Sequence, residues 1–291
     1  VVLLSILLSR MLTRKISTLL TAIRKVRAGA YEHRTNISGR DEIAQIGEEF
    51  NSLTDRLQTT ETVRRRFVSD ASHELKTPLA AIRLLTDSIL QTDQMDMETV
   101  RDFVTDIGSE AERLSRITED LLRLTRLDSD LLDAPETVEV APVLEQVMRM
   151  MSLLAQKKGT ELTYRMEENC RVSATKGEVH QVIYNLTDNA VKYSGKNGKV
   201  RVELRHEDHD VVLTVADNGP GIPEEDLPKV FERFYRVDKA RSRAAGGPGL
   251  GLSIVQDTVK KRGGMVSAAN RPNGGAVFTV RWPEAEGGDH S

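Results

Sequence analysis

The chain has 291 residues, room for two or three modest domains, with 39% hydrophobic, 29% charged and only 4% aromatic residues. That mix predicts helix-rich cores of Leu, Ile and Val, and a formal net charge of −3 speaks against nucleic-acid binding. The single cysteine, Cys170, excludes an intramolecular disulfide and a cysteine-built metal site, and it fits a reducing compartment.

Residues 1–9, VVLLSILLS, are apolar but shorter than the roughly 20 residues a membrane-spanning helix needs. Arg10, Arg14, Lys15, Arg24 and Lys25 follow them. The segment therefore reads as the truncated end of a transmembrane helix with a basic cytoplasmic flank. The plainer alternative is an apolar helix end packed in an oligomer core.

From Ile16, the apolar residues Leu19, Leu20, Ile23 and Val26 form a helical stripe that Gly29 breaks. A polar connector runs to Arg40. Ile43, Ile46, Phe50, Leu53 and Leu57 then repeat at heptad spacing, the signature of a seam buried against other helices. Two short helices with narrow stripes cannot bury a core alone, so a parallel dimer giving four helices is expected.

A longer helix is predicted over residues 63–91 and a second over 97–131, with a polar break at 93–96. The stripe of the second is Val100, Val104, Ile107, Ala111, Leu114, Leu121 and Leu124. Two antiparallel helices dimerising into a four-helix bundle would bury both stripes.

After Pro135 the texture changes. A helix carrying Val143, Val147 and Met151 precedes weak alternation over 161–166, and another helix is predicted over 176–193. Strands are predicted over 200–205, 211–216 and 276–282, with a helix over 250–262 before the last. This mixture suggests a two-layer α/β sandwich.

The sharpest chemical signal is FVSDASHELKTPLAAIR. His73 and Glu74 are adjacent, and Thr77 shares the face of His73. Pro78 lacks an N–H, which frees the carbonyl of Glu74 and lets the helix bend beside the histidine. A neutral imidazole is a usable nucleophile, and an adjacent carboxylate can take its proton. A lone helical histidine is more often an ordinary surface residue.

In HQVIYNLTDNAVKYS, residues Asn185, Asn189 and Lys192 project together from one helix face. An amide oxygen suits Mg²⁺ and an ammonium suits phosphate, though a solvated polar face would look the same. In VADNGPGIP, Asp217 at a strand end can accept from an exocyclic amine, and Gly219 and Gly221 let a ring approach the backbone. Alone, that string is simply a turn. GGPGLGLSIV, with Gly246, Gly247, Gly249 and Gly251, opens a helix whose amides favour a polyphosphate, or is an ordinary helix-initiating loop. Between these glycine runs lie Arg233, Arg236, Lys239, Arg241 and Arg243, a basic segment readable as a lid over 237–247 or as a solvated loop.

In this order and spacing the segments closely resemble the sensor histidine kinases of two-component systems. HELKTPL resembles the family's phosphoacceptor box and NLTDNAVKY its Asn box. DNGPGI and GGPGLGLSIV are similar to its two glycine boxes, FERFYR to its Phe-containing box, and residues 10–61 to the HAMP signal-relay module. Two departures stand out: no proline follows the apolar start, and Pro248 occupies a position that usually carries a small residue with an N–H.

The resemblance implies a multidomain chain. An all-α HAMP module would span 10–62, and a helical hairpin for dimerisation and histidine phosphotransfer 63–133, each forming a dimeric four-helix bundle. A two-layer α/β ATP-binding domain of the GHKL type would span 134–285, with a tail at 286–291. It implies ATP and Mg²⁺ as cofactors. His73 would be phosphorylated with Glu74 as its base, and Thr77 would orient water when a partner is dephosphorylated. Asn189 would bind Mg²⁺, Asn185 would lie near the phosphates, Lys192 would contact phosphate, and Tyr193 would line the nucleotide pocket. Asp217 would bind the adenine amine and Arg236 would approach the terminal phosphate. The implied partners are a response regulator's receiver domain and a second copy of the chain, with no nucleic acid. The implied location is the inner or plasma membrane, with this region cytoplasmic. The rival readings are another ATPase on the same nucleotide fold, which would not explain His73 and Pro78, and a degenerate signalling scaffold.

Overall fold

The computed structural model describes residues 2–92, 95–128, 134–195, 197–237 and 247–285. The expected break at 93–96, the end of the second long helix and most of the basic segment at 237–247 fall partly outside them, and the tail at 286–291 wholly so. The chain divides into two compact units, one ending at Ser72 and the other beginning at His73.

In the first unit α1 (Val2–Arg27) carries the apolar stripe. Gly29 follows with φ 95°, a left-handed conformation that ends the helix without steric cost. The connector is tied down by side chains. Lys15 reaches Asp41 at 2.6 Å, and Arg34 reaches both Asp55 and Gln58 at 2.6 Å. Asn51 accepts from the Thr35 amide at 2.8 Å and donates to its carbonyl at 3.0 Å. Asp41 caps α2 (Glu42–Gln91), accepting from the Ala44 amide at 3.0 Å. The Lys15 hydrogen bond, reinforced by that amide, holds the Asp41 carboxyl below its usual range. Ala22, Val26 and Ala44 are buried, whereas Leu20, Ile23, Ile46 and Leu53 remain exposed. The heptad seam is thus open in the single chain.

The separate helix expected from residue 63 is a continuation of α2. Nothing between Gln58 and Arg66 breaks a helix, and Glu61 pairs with Arg64 and Arg65 one turn ahead. Pro78 sits inside α2, which continues past it. Asp96 caps α3 (Met97–Asp128) through the Thr99 amide and hydroxyl at 2.8 and 2.7 Å. The buried apolar residues of α3 are Ile117, Leu124 and Leu127. Val104 was expected on the buried stripe and is exposed in the single chain, while Ile117 was passed over.

The rest of the second unit is a two-layer α/β sandwich. β1 (Glu136–Glu139) and β3 (Arg171–Ala174) form a small antiparallel pair. The main sheet has the order β2-β4-β5-β7-β6, built from β2 (Glu161–Met166), β4 (Lys199–Glu207), β5 (Asp210–Asp217), β6 (Met265–Asn270) and β7 (Ala276–Pro283). Only β2–β4 is parallel among its pairings. α4 (Val140–Lys158), α5 (Lys176–Tyr193) and α6 (Gly251–Lys261) form the helical layer. Leu144, Val147 and Met151 of α4 meet Val182, Ile183 and Leu186 of α5 over the inward residues of the strands, among them Val202, Leu213 and Phe278. β1, β3 and β6 were not foreseen: the first two are four residues long, and the third is built largely of small side chains.

One carboxylate fastens the helical layer at the start of α5. Thr175 and Glu178 form a reciprocal capping box, and Glu178 also accepts from the Nε and Nη2 of the partly buried Arg262 at 3.0 and 2.9 Å. Thr175→Ala should cost about 1 kcal/mol, the usual worth of an N-cap. Glu178→Ala should cost more, about 2–4 kcal/mol, because it also removes two charge-assisted hydrogen bonds to the partly buried Arg262. Trp282, the single and buried tryptophan, reports both in urea unfolding followed by fluorescence. Equal midpoint shifts would assign Arg262 no role.

Candidate functional site

The second unit holds a cavity of about 1060 Å³ walled by α3, α5, the end of β5, the turn after it and the entry to α6. Asn185, Asn189, Lys192, Tyr193, Asp217, Gly221, Arg236, Gly247, Gly249 and Gly251 all line it. Positions singled out in four separate segments thus share one space, although Gly219 is not among its lining residues and Gly246 lies outside the described residues.

Asp217 is nearly fully buried, 4% exposed. Its Oδ1 accepts from the Gly219 amide at 2.8 Å and the Ala276 amide at 3.2 Å, while Arg271 donates to its carbonyl at 2.7 Å. Desolvation by burial raises its pKa, opposed by those two amide donors and by the Arg271 charge. Gly219 is required by contact: an added Cβ would lie 2.3 Å from the carbonyl oxygen of Tyr193. Gly275 is required twice over, with φ 89° and an added Cβ 2.1 Å from the Asp217 carbonyl oxygen. Arg271 and Gly275 escaped the sequence reading; the Asn-Gly-Gly run at 273–275 signals a hairpin, not a site. Asn270 escaped it too, and clamps Ile222 by accepting from its amide at 2.8 Å and donating to its carbonyl at 2.6 Å.

The polar face of α5 divides its labour. Asn185 is committed to structure, accepting from Gln181 at 2.8 Å and donating to the Gly251 carbonyl at 3.1 Å, which ties α5 to the start of α6. The side chain of Asn189, one turn on, has no hydrogen-bond partner among the described residues. Lys192 pairs with Asp188 at 2.6 Å and lies 3.9 Å from where a Cβ on Gly247 would stand. Arg236 is half-buried, and its Nε and Nη2 have no partner among the described residues. Such strong donors, desolvated and unsatisfied, are costly unless an anion meets them. Lys239, Arg241 and Arg243 lie outside the described residues. No group of three or more His, Cys, Asp or Glu capable of holding a metal occurs among the described residues.

α3 supplies a wall that the sequence reading did not foresee. Arg113, Arg116, Asp120 and Arg123 line the cavity, Arg123 donates to Gln181, and Lys261 donates to the Leu127 carbonyl at 2.7 Å. His73, Glu74 and Thr77 are not among the lining residues. His73 and Thr77 are exposed, with the Thr77 hydroxyl donating to the His73 carbonyl at 3.1 Å. Glu74 is half-buried, with its Oε2 3.6 Å from Arg113.

Three family models match the chain in series. They are the HAMP domain at residues 7–59, the His Kinase A phospho-acceptor domain at 63–130, and the histidine kinase-, DNA gyrase B- and HSP90-like ATPase at 174–286. The signal transduction histidine-protein kinase BaeS of Escherichia coli K12 is 32% identical over 95% of this chain and 59% of its own length. AfsQ2 of Streptomyces coelicolor is 35% identical over 90% of this chain and 51% of its own. The chain thus spans little more than half the length of these curated relatives. Among solved structures, the histidine kinase ThkA in complex with the response regulator TrrA has a similar fold. Its TM-score is 0.62 with 24% identity, covering 86% of this chain and 69% of that one.

Asp120 gives the cavity a pH response. Burial, opposed by Arg123, pushes its pKa up to about 6 from 3.8. A folded-state pKa above the unfolded one means the stabilising proton is fully held below about pH 4 and lost as pH rises through about 6. Asp120→Asn should therefore stabilise the fold at about pH 7.5, by on the order of 1 kcal/mol after allowance for solvent, and by less at about pH 5. Denaturant unfolding at the two pH values tests this; a gain that is larger at the acid end reverses the sign.

Proposed function

The chain belongs to the sensor histidine kinases of bacterial two-component systems, and from that premise we propose that it moves the γ-phosphoryl group of ATP to His73 and then to an aspartate of a response regulator. The observation that carries this reading is the cavity chemistry. A buried carboxylate acceptor, an unengaged amide, an ammonium and a guanidinium with two unsatisfied buried N–H groups share one space of nucleotide scale. Those features match adenine, Mg²⁺ and phosphate in turn.

Asp217 would accept the adenine amine, its Oδ1 being already fixed by two backbone amides. Tyr193 would flank the base, and Gly219 and Gly221 would keep the wall low enough for it to approach the backbone. Lys192 and Arg236 would bind phosphate, as a point charge and as a planar fork respectively. Gly247, Gly249 and Gly251 would present the loop and the start of α6 to the phosphates, and Pro248 offers no N–H there. Asn189 would give its amide oxygen to Mg²⁺, and the ion would supply positive charge beside the phosphates. Asn185 would act one step back, holding α5 to α6.

On α2, His73 would attack through one ring nitrogen while Glu74 takes the proton of the other. Thr77 would orient water for dephosphorylation of the regulator. The open seams of α1, α2 and α3 support a homodimer in which a second copy covers them. No helix among the described residues is long and apolar enough to cross a membrane. The apolar start and the basic residues after it support attachment to the inner or plasma membrane, with this region on the cytoplasmic side.

Incubation with γ-labelled ATP and Mg²⁺ tests the reading: acid-labile, alkali-stable label is expected. His73→Gln should abolish it while ATP affinity stays within about twofold, since His73 does not line the cavity. Label persisting in that variant would move the acceptor elsewhere, and turnover without label would favour a plain ATPase.

Asn189→Asp keeps an oxygen ligand but adds charge beside a triphosphate. The rate of labelling should fall by about 10²-fold or more, the scale of losing a placed electrostatic group. Unchanged kinetics across a Mg²⁺ titration would remove Asn189 from the metal site.

A further inference from the structure

Arg113 stands between the cavity and the histidine, and nothing in the reading above uses it. It is a cavity wall residue with 15% of its side chain exposed. Its Nη2 lies 3.6 Å from Glu74 Oε2, and its Nη1 lies 3.7 Å from Glu110 Oε2. Both distances are ion-pair contacts too long for hydrogen bonds. Consistently, Glu74 Oε2, Glu110 Oε2 and Arg113 Nε are all buried without a hydrogen-bond partner among the described residues. A guanidinium balanced between two carboxylates and bonded to neither is an arrangement set for adjustment. A shift of just under 1 Å toward α2 would close a charge-assisted hydrogen bond of about 2.8 Å to Glu74.

We propose that Arg113 is the positioning residue for Glu74, holding from α3 the carboxylate that takes the proton of His73 while Glu110 keeps the guanidinium in reach. The inference rests on the kinase reading above. In the step concerned, one ring nitrogen of His73 forms the N–P bond, and the bond from γ-phosphorus to the bridging oxygen breaks with its electron pair leaving on ADP. The N–H on the other ring nitrogen gives its proton to Glu74. A carboxylate free to rotate accepts that proton in few of its orientations; one fixed by a guanidinium from the facing helix accepts it in most. Arg113 also places a fixed positive charge at the cavity edge beside Glu74, where water would otherwise surround the carboxylate. Arginine suits this duty because its fork serves two oxygens in fixed directions and stays charged at all working pH.

The test is labelling kinetics of the full chain with γ-labelled ATP. Arg113→Ala should lower kcat by about 10–100-fold, within the range that a positioned proton acceptor contributes, with KM for ATP changed less than about twofold. Arg113→Lys keeps the charge and should recover part of kcat, and it serves if the alanine variant folds poorly. In a Glu74→Gln background, Arg113→Ala should add no further loss, because the group it positions is gone. Three results overturn the assignment: a KM effect without a kcat effect, a kcat equal to wild type, or full multiplicative loss in the double variant. Each requires that the wild type labels His73. A wild type that takes no label overturns the kinase reading itself, and the role of Arg113 falls with it.

Discussion

The site depends on keeping one carboxylate out of water. Asp217 ends β5 in a spot where burial disfavours its charge, and the structure answers with two backbone amides on a single oxygen. That arrangement sets the neighbours. The amide of residue 219 can reach the carboxylate only if the turn runs close to the end of α5, which excludes any side chain at Gly219. The amide of Ala276 can reach it only if the β6–β7 hairpin closes onto the Asp217 carbonyl, which excludes one at Gly275. Arg271 then takes that carbonyl. One buried acceptor thus fixes where three segments meet, and leaves the cavity beside them.

The opposite wall follows a different logic, that of cations waiting for an anion. Lys192 has Asp188 to neutralise it, so it remains in place at a distance of 2.6 Å. Arg236 has no such partner among the described residues, and two of its nitrogens are buried. A site that satisfied every cation internally would bind phosphate only by breaking ion pairs, at a cost similar to the gain. Leaving one guanidinium unsatisfied makes the anion the missing partner. The amides follow the same division, since Asn185 is satisfied and structural whereas Asn189 is not.

The legible parts of the sequence were those whose physics is local. α5 was placed at 176–193 because its stripe and polar face have helical period, and its residues converge as the spacing implied. The long strands β4, β5 and β7 were read from alternation of β-branched residues. β1 and β3 exist because they pair with each other, which no four-residue string announces. The unbroken passage of α2 across the expected boundary reflects ion pairs spaced along one helix, visible only when helix is already assumed. In the site, the glycine runs and the Asn face were legible as motifs. Asn270, Arg271 and Gly275 were not, because their importance comes from tertiary contact with residues about 50 positions earlier. The α3 wall was invisible for the same reason. Its arginines look like any solvated helix face until α3 is seen packed on α5 and α6.

That packing bears on where His73 stands with respect to the cavity. His73 is exposed on α2 and does not line the cavity, so the proposed transfer needs the cavity of this chain or of a second copy to come to it. The contact between α3 and the α/β layers includes several polar pairs. Arg123 reaches Gln181, Lys261 reaches a carbonyl at the end of α3, and Asp120 faces Lys192 and Arg116. Side-chain hydrogen bonds of this kind contribute about 1 kcal/mol each, because water replaces them when they part. Apolar residues are buried on both elements as well, Leu124 and Leu127 on α3 and Ile254 on α6. Water can replace those polar pairs at small cost, whereas exposing the apolar residues would cost about 25 cal/mol per Å².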